Sequence, residues 1–223
     1  LELGEYQGVD CIRAKDGLLY AAAWNGAALK KRTSDLVRTD GGHAAAILSV
    51  EGELTGFAFD AAGDVWLTQL TTAGGTLCRA KHDSWGAAVE QVVTQLDGAP
   101  LGAVSAVEVS PAGKVYFAVA AAAGAENGLE SALRTELLAH TATGCVYVYD
   151  PAARTVEKVL GGVAGAAGLA LSPDGSTLYV SDLGSRCIWA VPSGGRERMA
   201  GGKGCAQLAA GLPGYPGALA VEE

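Results

Sequence analysis

The sequence has no CxxC pair, no excess of positive charge, one methionine and no long apolar run. Each absence excludes something. Without a CxxC pair, neither a zinc ribbon nor a thioredoxin-type redox centre has support. Sixteen Lys and Arg against 24 Asp and Glu leave a net charge of −8, which argues against nucleic acid or an anionic membrane as partner. No apolar stretch approaches the roughly 20 residues needed to span a bilayer, and VYFAVAAAAGA (115–125) is too short and too rich in alanine. The first residues carry Glu2 and Glu5 where a signal peptide has a basic region, and the first residue is not Met.

Catalytic patterns are missing as well. There is no GxSxG elbow, and Gly161-Gly162 and Gly201-Gly202-Lys203-Gly204 lack Walker spacing. His43, His82 and His140 lie far apart with no metal-ligand spacing. Five cysteines, Cys11, Cys78, Cys145, Cys187 and Cys205, leave at least one unpaired within the chain. Buried thiols in strands are the expected state, with one disulfide left open.

What is abundant is apolar residues, at 49%, and 32 glycines, many of them in turn-like positions. GLALSPDGSTLYVSD (168–182) reads as a hairpin, because Pro, Asp and Gly together favour a tight turn. The same layout occurs at IRAKDGLLY, FAFDAAGDVWL and VEVSPAGKVYF. The turn glycines Gly17, Gly63, Gly113 and Gly175 recur at about 46 to 62 residues, the range of propeller blades. Tyr20, Trp66, Tyr116 and Tyr179 are expected at equivalent places on the second strand of each hairpin.

Third strands are expected at 28–31, 76–79, 145–149 and 187–191, and fourth strands at 89–94, 156–160 and 198–200. The chain therefore reads as an all-β propeller of four-stranded blades in a single domain. The repeats fall at approximately 5–50, 51–98, 101–161 and 163–204, with a further blade opening at 216–223. Leu129, Leu133, Leu137 and Leu138 predict a short amphipathic helix from about 129 to 140 over one face of the disc, with His140 at its end.

TGCVYVYDPAARTVEKVL (143–160), GLALSPDGSTLYVSDLGSRCIWAV (168–191) and LPGYPGALAV (212–221) resemble the strictosidine synthase-like proteins. Those carry signatures of the form GRLlkYDP, faNGvaLSpDgs…vaEt…RI and LPGyPDNI. Relatives include arylesterase-like membrane-anchored proteins and, more distantly, calcium-dependent lactonases. The resemblance implies six blades and a secretory or membrane-anchored lumenal setting. It implies that another protein or further chain covers the open propeller edges.

It also implies a calcium site in the channel, whose ligand positions fall on Asp10, Ser105, Ala167 and Gly217. Two of these bring no side-chain oxygen and a third only a hydroxyl, so no metal or other cofactor is expected. The acid expected after the YFT signature is also absent, since Ala118-Val119 follows Phe117. No catalytic residue is assigned. Asp182 and Arg186 occupy the Glu and Arg places of the second signature and are expected to form a structural ion pair. The function expected is a binding or structural module with a degenerate metal site. The alternatives are hydrolysis of a small ester or lactone, strictosidine synthase-type chemistry, and a subunit of a larger assembly.

Overall fold

The computed structural model describes residues 6–26, 29, 32–40, 44–87 and 89–221. Its first blade is β1 (Gly8–Lys15), β2 (Leu18–Asn25), β3 (Thr33–Thr39) and β4 (Ala44–Glu51). The second is β5 (Glu53–Phe59), β6 (Val65–Thr71), β7 (Gly74–Ala80) and β8 (Glu90–Val93). A small hairpin, β9 (Gln95–Leu96) and β10 (Ala99–Pro100), turns through Asp97-Gly98 and leads on to the third blade. That blade holds β11 (Ala103–Val109), β12 (Val115–Ala121), β13 (Gly144–Asp150) and β14 (Thr155–Val163), with helix α1 (Leu129–Leu138) inserted between β12 and β13. The fourth is β15 (Ala166–Leu171), β16 (Thr177–Asp182) and β17 (Cys187–Pro192), and then, after a short β18 (Arg198–Met199), β19 (Ala206–Ala209).

Within each blade, neighbouring strands are antiparallel. The four blades form a β-propeller, with β1, β5, β11 and β15 as the inner strands that pack in that order. The six blades that the resemblance implies are not all present among the described residues. At the observed repeat spacing, the described residues supply four, and 217–221 adds no strand. Gly217–Leu219 nevertheless lies against the fourth blade. A Cβ built on Gly168 would meet the Gly217 carbonyl oxygen at 2.4 Å, and the Ser181 hydroxyl donates to that same oxygen at 2.7 Å.

The repeat is legible in the register. Each inner strand skips one residue in its pairing, Asp10, Thr55, Ser105 and Ala167, and β11 has a second shift between Ala103 and Val104. Tyr20, Trp66, Tyr116 and Tyr179 pair with Arg13, Ala58, Glu108 and Ala170, each three places after the irregular position of its inner strand. Gly175 takes φ 69° at the quoted turn, a conformation that costs a residue with Cβ. Apolar cores fill the spaces between successive blades. Phe57, Leu67 and Leu36 lie between the first two, Val107, Phe117 and Leu77 between the second and third, and Leu160, Leu178 and Val180 between the last two.

Two strand expectations come out differently. The strand expected at 28–31 falls mostly outside the described residues, and Thr33–Thr39 pairs with β2 instead. Residues 198–200 were expected to be the fourth strand of the last blade. Arg198 and Met199 instead run parallel to β14 of the third blade, and Ala206–Ala209 completes the fourth. The Gly-rich loop leaving β17 folds back toward the third blade, where Lys158 approaches Glu197 at 3.5 Å. Finally, no packing like that between successive blades joins the fourth to the first among the described residues. Ile12 on β1 is 60% exposed and Leu208 on β19 63% exposed.

All five cysteines are free, with Cys78, Cys145 and Cys187 buried, and burial pushes the Cys78 thiol up to about 12. Among the described residues no helix is long and apolar enough to cross a membrane.

Candidate functional site

A cavity of about 480 Å³ opens where the inner strands of the first two blades meet the start of α1. Asp10 and Thr55 reach it from their strand irregularities, Trp24 from β2, Glu53 from the start of β5, and Asn127 and Leu129 from the helix entry. Asp10 is open to the cavity. Burial by the surrounding protein, and then the Glu53 carboxylate, raise its pKa, against the Trp24 indole and Arg32, which lower it. Glu53 is 6% exposed and pairs with the Arg32 guanidinium. It also accepts the backbone N–H of Leu129 at 2.8 Å, so a carboxylate sits at the positive end of the helix dipole. Arg32 in turn stacks on Trp24, 4.4 Å from the ring centroid.

The helix is held at its other end too. Glu136, 5% exposed, accepts the Thr141 hydroxyl at 2.8 Å and the Thr143 N–H at 2.5 Å. His140 follows the helix with φ 52°, and its N–H donates to the Leu137 carbonyl at 3.2 Å. It closes the helix in the left-handed conformation usual after a C-terminus.

Asp10, Ser105 and Ala167 occupy equivalent irregularities on three inner strands. They do not act together. Only Asp10 lines the cavity; Ser105, Ala167 and Gly217 do not. The Ser105 hydroxyl is 2.6 Å from the Ala166 carbonyl oxygen and donates to it, tying the third blade to the fourth. No group of three His, Cys, Asp or Glu side chains able to hold a metal occurs among the described residues, and His43 lies outside them. Of the four positions, only Asp10 brings a carboxylate, and Ala167 and Gly217 bring no side-chain oxygen.

The expected Asp182–Arg186 ion pair does not form. Asp182 is fully buried and already satisfied: it accepts the Trp189 indole N–H and the Ser185 N–H, both at 3.0 Å. Arg186 sits in the following turn at φ 49° and takes part in no salt bridge among the described residues.

Thr55, Glu53, Arg32 and Trp24 were not singled out from the sequence. Thr55 was within reach, because aligning TGF with SAV places it opposite Ser105. Arg32 and Trp24 lie outside the repeated hairpin and leave no pattern.

Blades of four strands around a polar cavity define a β-propeller with its candidate site at the inner strands. The chain belongs to the SMP-30/gluconolactonase/LRE-like family, whose model matches residues 69–223. No curated protein matches it. Among solved structures it is similar to a luciferin-regenerating enzyme at 18% identity and TM-score 0.68, over 100% of this chain and 68% of that one. It is similar to a gluconolactonase of Xanthomonas campestris at 17% identity and TM-score 0.63, over 97% of this chain and 77% of that one. A chain of a nidogen/laminin complex matches at 17% identity and TM-score 0.58, covering 90% of this chain and 64% of that one.

Proposed function

We propose that this propeller binds a small lactone, ester or polyol in the Asp10 cavity and no longer hydrolyses it with a metal. Kinship with gluconolactonases supports the ligand class. The observation that carries the loss of metal chemistry is the inner-strand set: Ser105 is spent on a carbonyl, while Ala167 and Gly217 bring no side-chain oxygen. A metal-polarised carbonyl needs hard oxygen donors converging on one point. The narrower kinship with strictosidine synthase-like proteins rests on the motifs at 143–160, 168–191 and 212–221, and no residue described supports condensation of an amine with an aldehyde.

One observation favours a second reading, metal-free hydrolysis. Asp10 has a raised pKa, opens to the cavity and lies near Arg32, an arrangement suited to a general base beside a cation. A pH-stat assay on δ-valerolactone, with and without calcium, paired with NMR titration, separates the two. Saturable binding without turnover is expected. Turnover lost in Asp10→Asn would establish the second reading, and absence of binding would leave a structural module.

A further inference from the structure

Helix α1 turns the wrong face to the protein for an ordinary amphipathic helix. The side packed on the sheet carries Ala132, fully buried and close enough to Gly124 that a Cβ there would meet its Cα at 3.2 Å, and Glu136. Leu129 also packs on this core, but the other three leucines lie elsewhere. Leu133 and Leu137 rest half-buried over Gly165 and Gly184 of the fourth blade, and Leu138 is 75% exposed. With Leu183 and Tyr215 they line an apolar groove of about 350 Å³.

This groove continues the cavity. Glu130, Leu133 and Arg134 line both. Residues 130, 133, 134, 137 and 138 fall at the spacing of one helix face, so the groove wall runs along α1 for roughly 12 Å at 1.5 Å per residue, and its first half is shared with the cavity. One end of it is oxygen- and charge-rich, at Asp10, Arg32 and Asn127; the other is leucine and tyrosine.

We propose that the ligand is an amphiphile: an oxygen-bearing head in the Asp10 cavity and a medium-length aliphatic tail along the α1 groove. This rests on the small-molecule reading above and adds to it the substrate class. A sugar lactone has no group for the leucine end, whereas each methylene buried there raises affinity by up to about fourfold.

The test compares δ-valerolactone with δ-dodecalactone, which share a ring and differ in a tail, by NMR titration of the whole chain. The tailed lactone is expected to bind at least tenfold more tightly. Leu138→Ser and Tyr215→Ser, both at exposed positions, are expected to erase most of that advantage while leaving δ-valerolactone binding unchanged, which also reports that the variants fold. Equal affinities for the two lactones, or an advantage untouched by both variants, would overturn the proposal while the small-molecule reading stands. Failure of both lactones to bind would overturn the two together. Conversion of an oligomer to a monomer by Leu138→Ser in light scattering would assign the groove to a second copy of the chain instead.

Discussion

The Arg13 guanidinium of the first blade donates to Glu108 of the third at 2.9 Å and to the Val107 carbonyl at 3.1 Å. It thus braces two inner strands that are not neighbours. The pair is partly buried, with side-chain exposures of 30% and 17%, and Arg13 Nε is buried without a partner. Such a pair resists loss of one member more than loss of both, because a single deletion strands a desolvated charge. Arg13→Met should therefore cost about 2 kcal/mol, and Arg13→Met with Glu108→Leu should cost less than Arg13→Met alone. Urea unfolding of Arg13→Met, Glu108→Leu and the double variant, read at constant m, checks this. A double variant as unstable as the sum of the singles would show that the brace carries no coupling.

Glu53 joins three parts of the site: Arg32, β5 and the first turn of α1. Glu53→Ala removes the acceptor for Leu129 and leaves Arg32, 16% exposed at its side chain, without its counter-charge. A loss of about 3 kcal/mol is expected, within the range for breaking a buried pair. Glu53→Gln keeps an acceptor for the helix and should lose less. Equal losses for Ala and Gln would mean that the helix contact contributes nothing.

Asp64 and Asp10 should respond to pH with opposite signs. Burial pushes the Asp64 carboxyl up, but the His82 N–H at 2.9 Å and the Arg79 guanidinium at 2.6 Å outweigh it and hold its pKa below the ordinary value. Its folded pKa is thus the lower one. Its contribution is full above the unfolded carboxylate range and is lost as pH falls through the folded value. Asp64→Asn should cost about 1–3 kcal/mol at pH 7 and progressively less below pH ~4. For Asp10 the folded pKa is the higher one, chiefly through burial, so its ionised form opposes folding above that value. Asp10→Asn should stabilise the chain at neutral pH, and the gain should vanish below the unfolded range. Thermal melts of both variants from pH 3 to 8 check the signs. A destabilised Asp10→Asn at pH 7 would show the Trp24 contact to matter more than desolvation.

The propeller was legible because its signals are local. The turn glycines and the second-strand aromatics repeat with the hairpin, and the register confirms Tyr20, Trp66, Tyr116 and Tyr179 as equivalent. Helix α1 was legible in its spacing, but not in its orientation. Periodicity marks an apolar stripe without saying what covers it, and here close backbone approach at Gly124 selects Ala132 for the sheet. The Asp182–Arg186 pair failed for a related reason. Two opposite charges four residues apart suggest attraction, yet the turn aims Asp182 inward to Trp189. Arg186→Ala should accordingly leave stability within about 0.5 kcal/mol. Most of the cavity was invisible because Glu53, Arg32 and Leu129 meet only through tertiary contact.

The calcium question has a constructive test. The wild-type chain is expected to show no rise in melting temperature with calcium, since Asp10 alone of the four positions offers a carboxylate to solvent. Restoring donors is sterically open at one end: a Cβ at Gly217 meets nothing within 4 Å. Ala167 is half-buried and already sits on the irregularity equivalent to that of Asp10. Ser105 is the harder position, because Ser105→Asn must give up the 2.6 Å bond to Ala166 that ties two blades. Ala167→Asn with Gly217→Asp should therefore come first. Binding to the folded state raises stability by RT ln(1 + [L]/Kd), about 1.4 kcal/mol at ten times Kd, which calorimetry resolves. The double variant is expected to gain a calcium-dependent shift that Asp10→Ala abolishes. A shift of the same size in the wild-type chain would show that it keeps a calcium site and would undo the binding-only reading. A double variant indifferent to calcium would show that Asp10, 167 and 217 do not converge on one point.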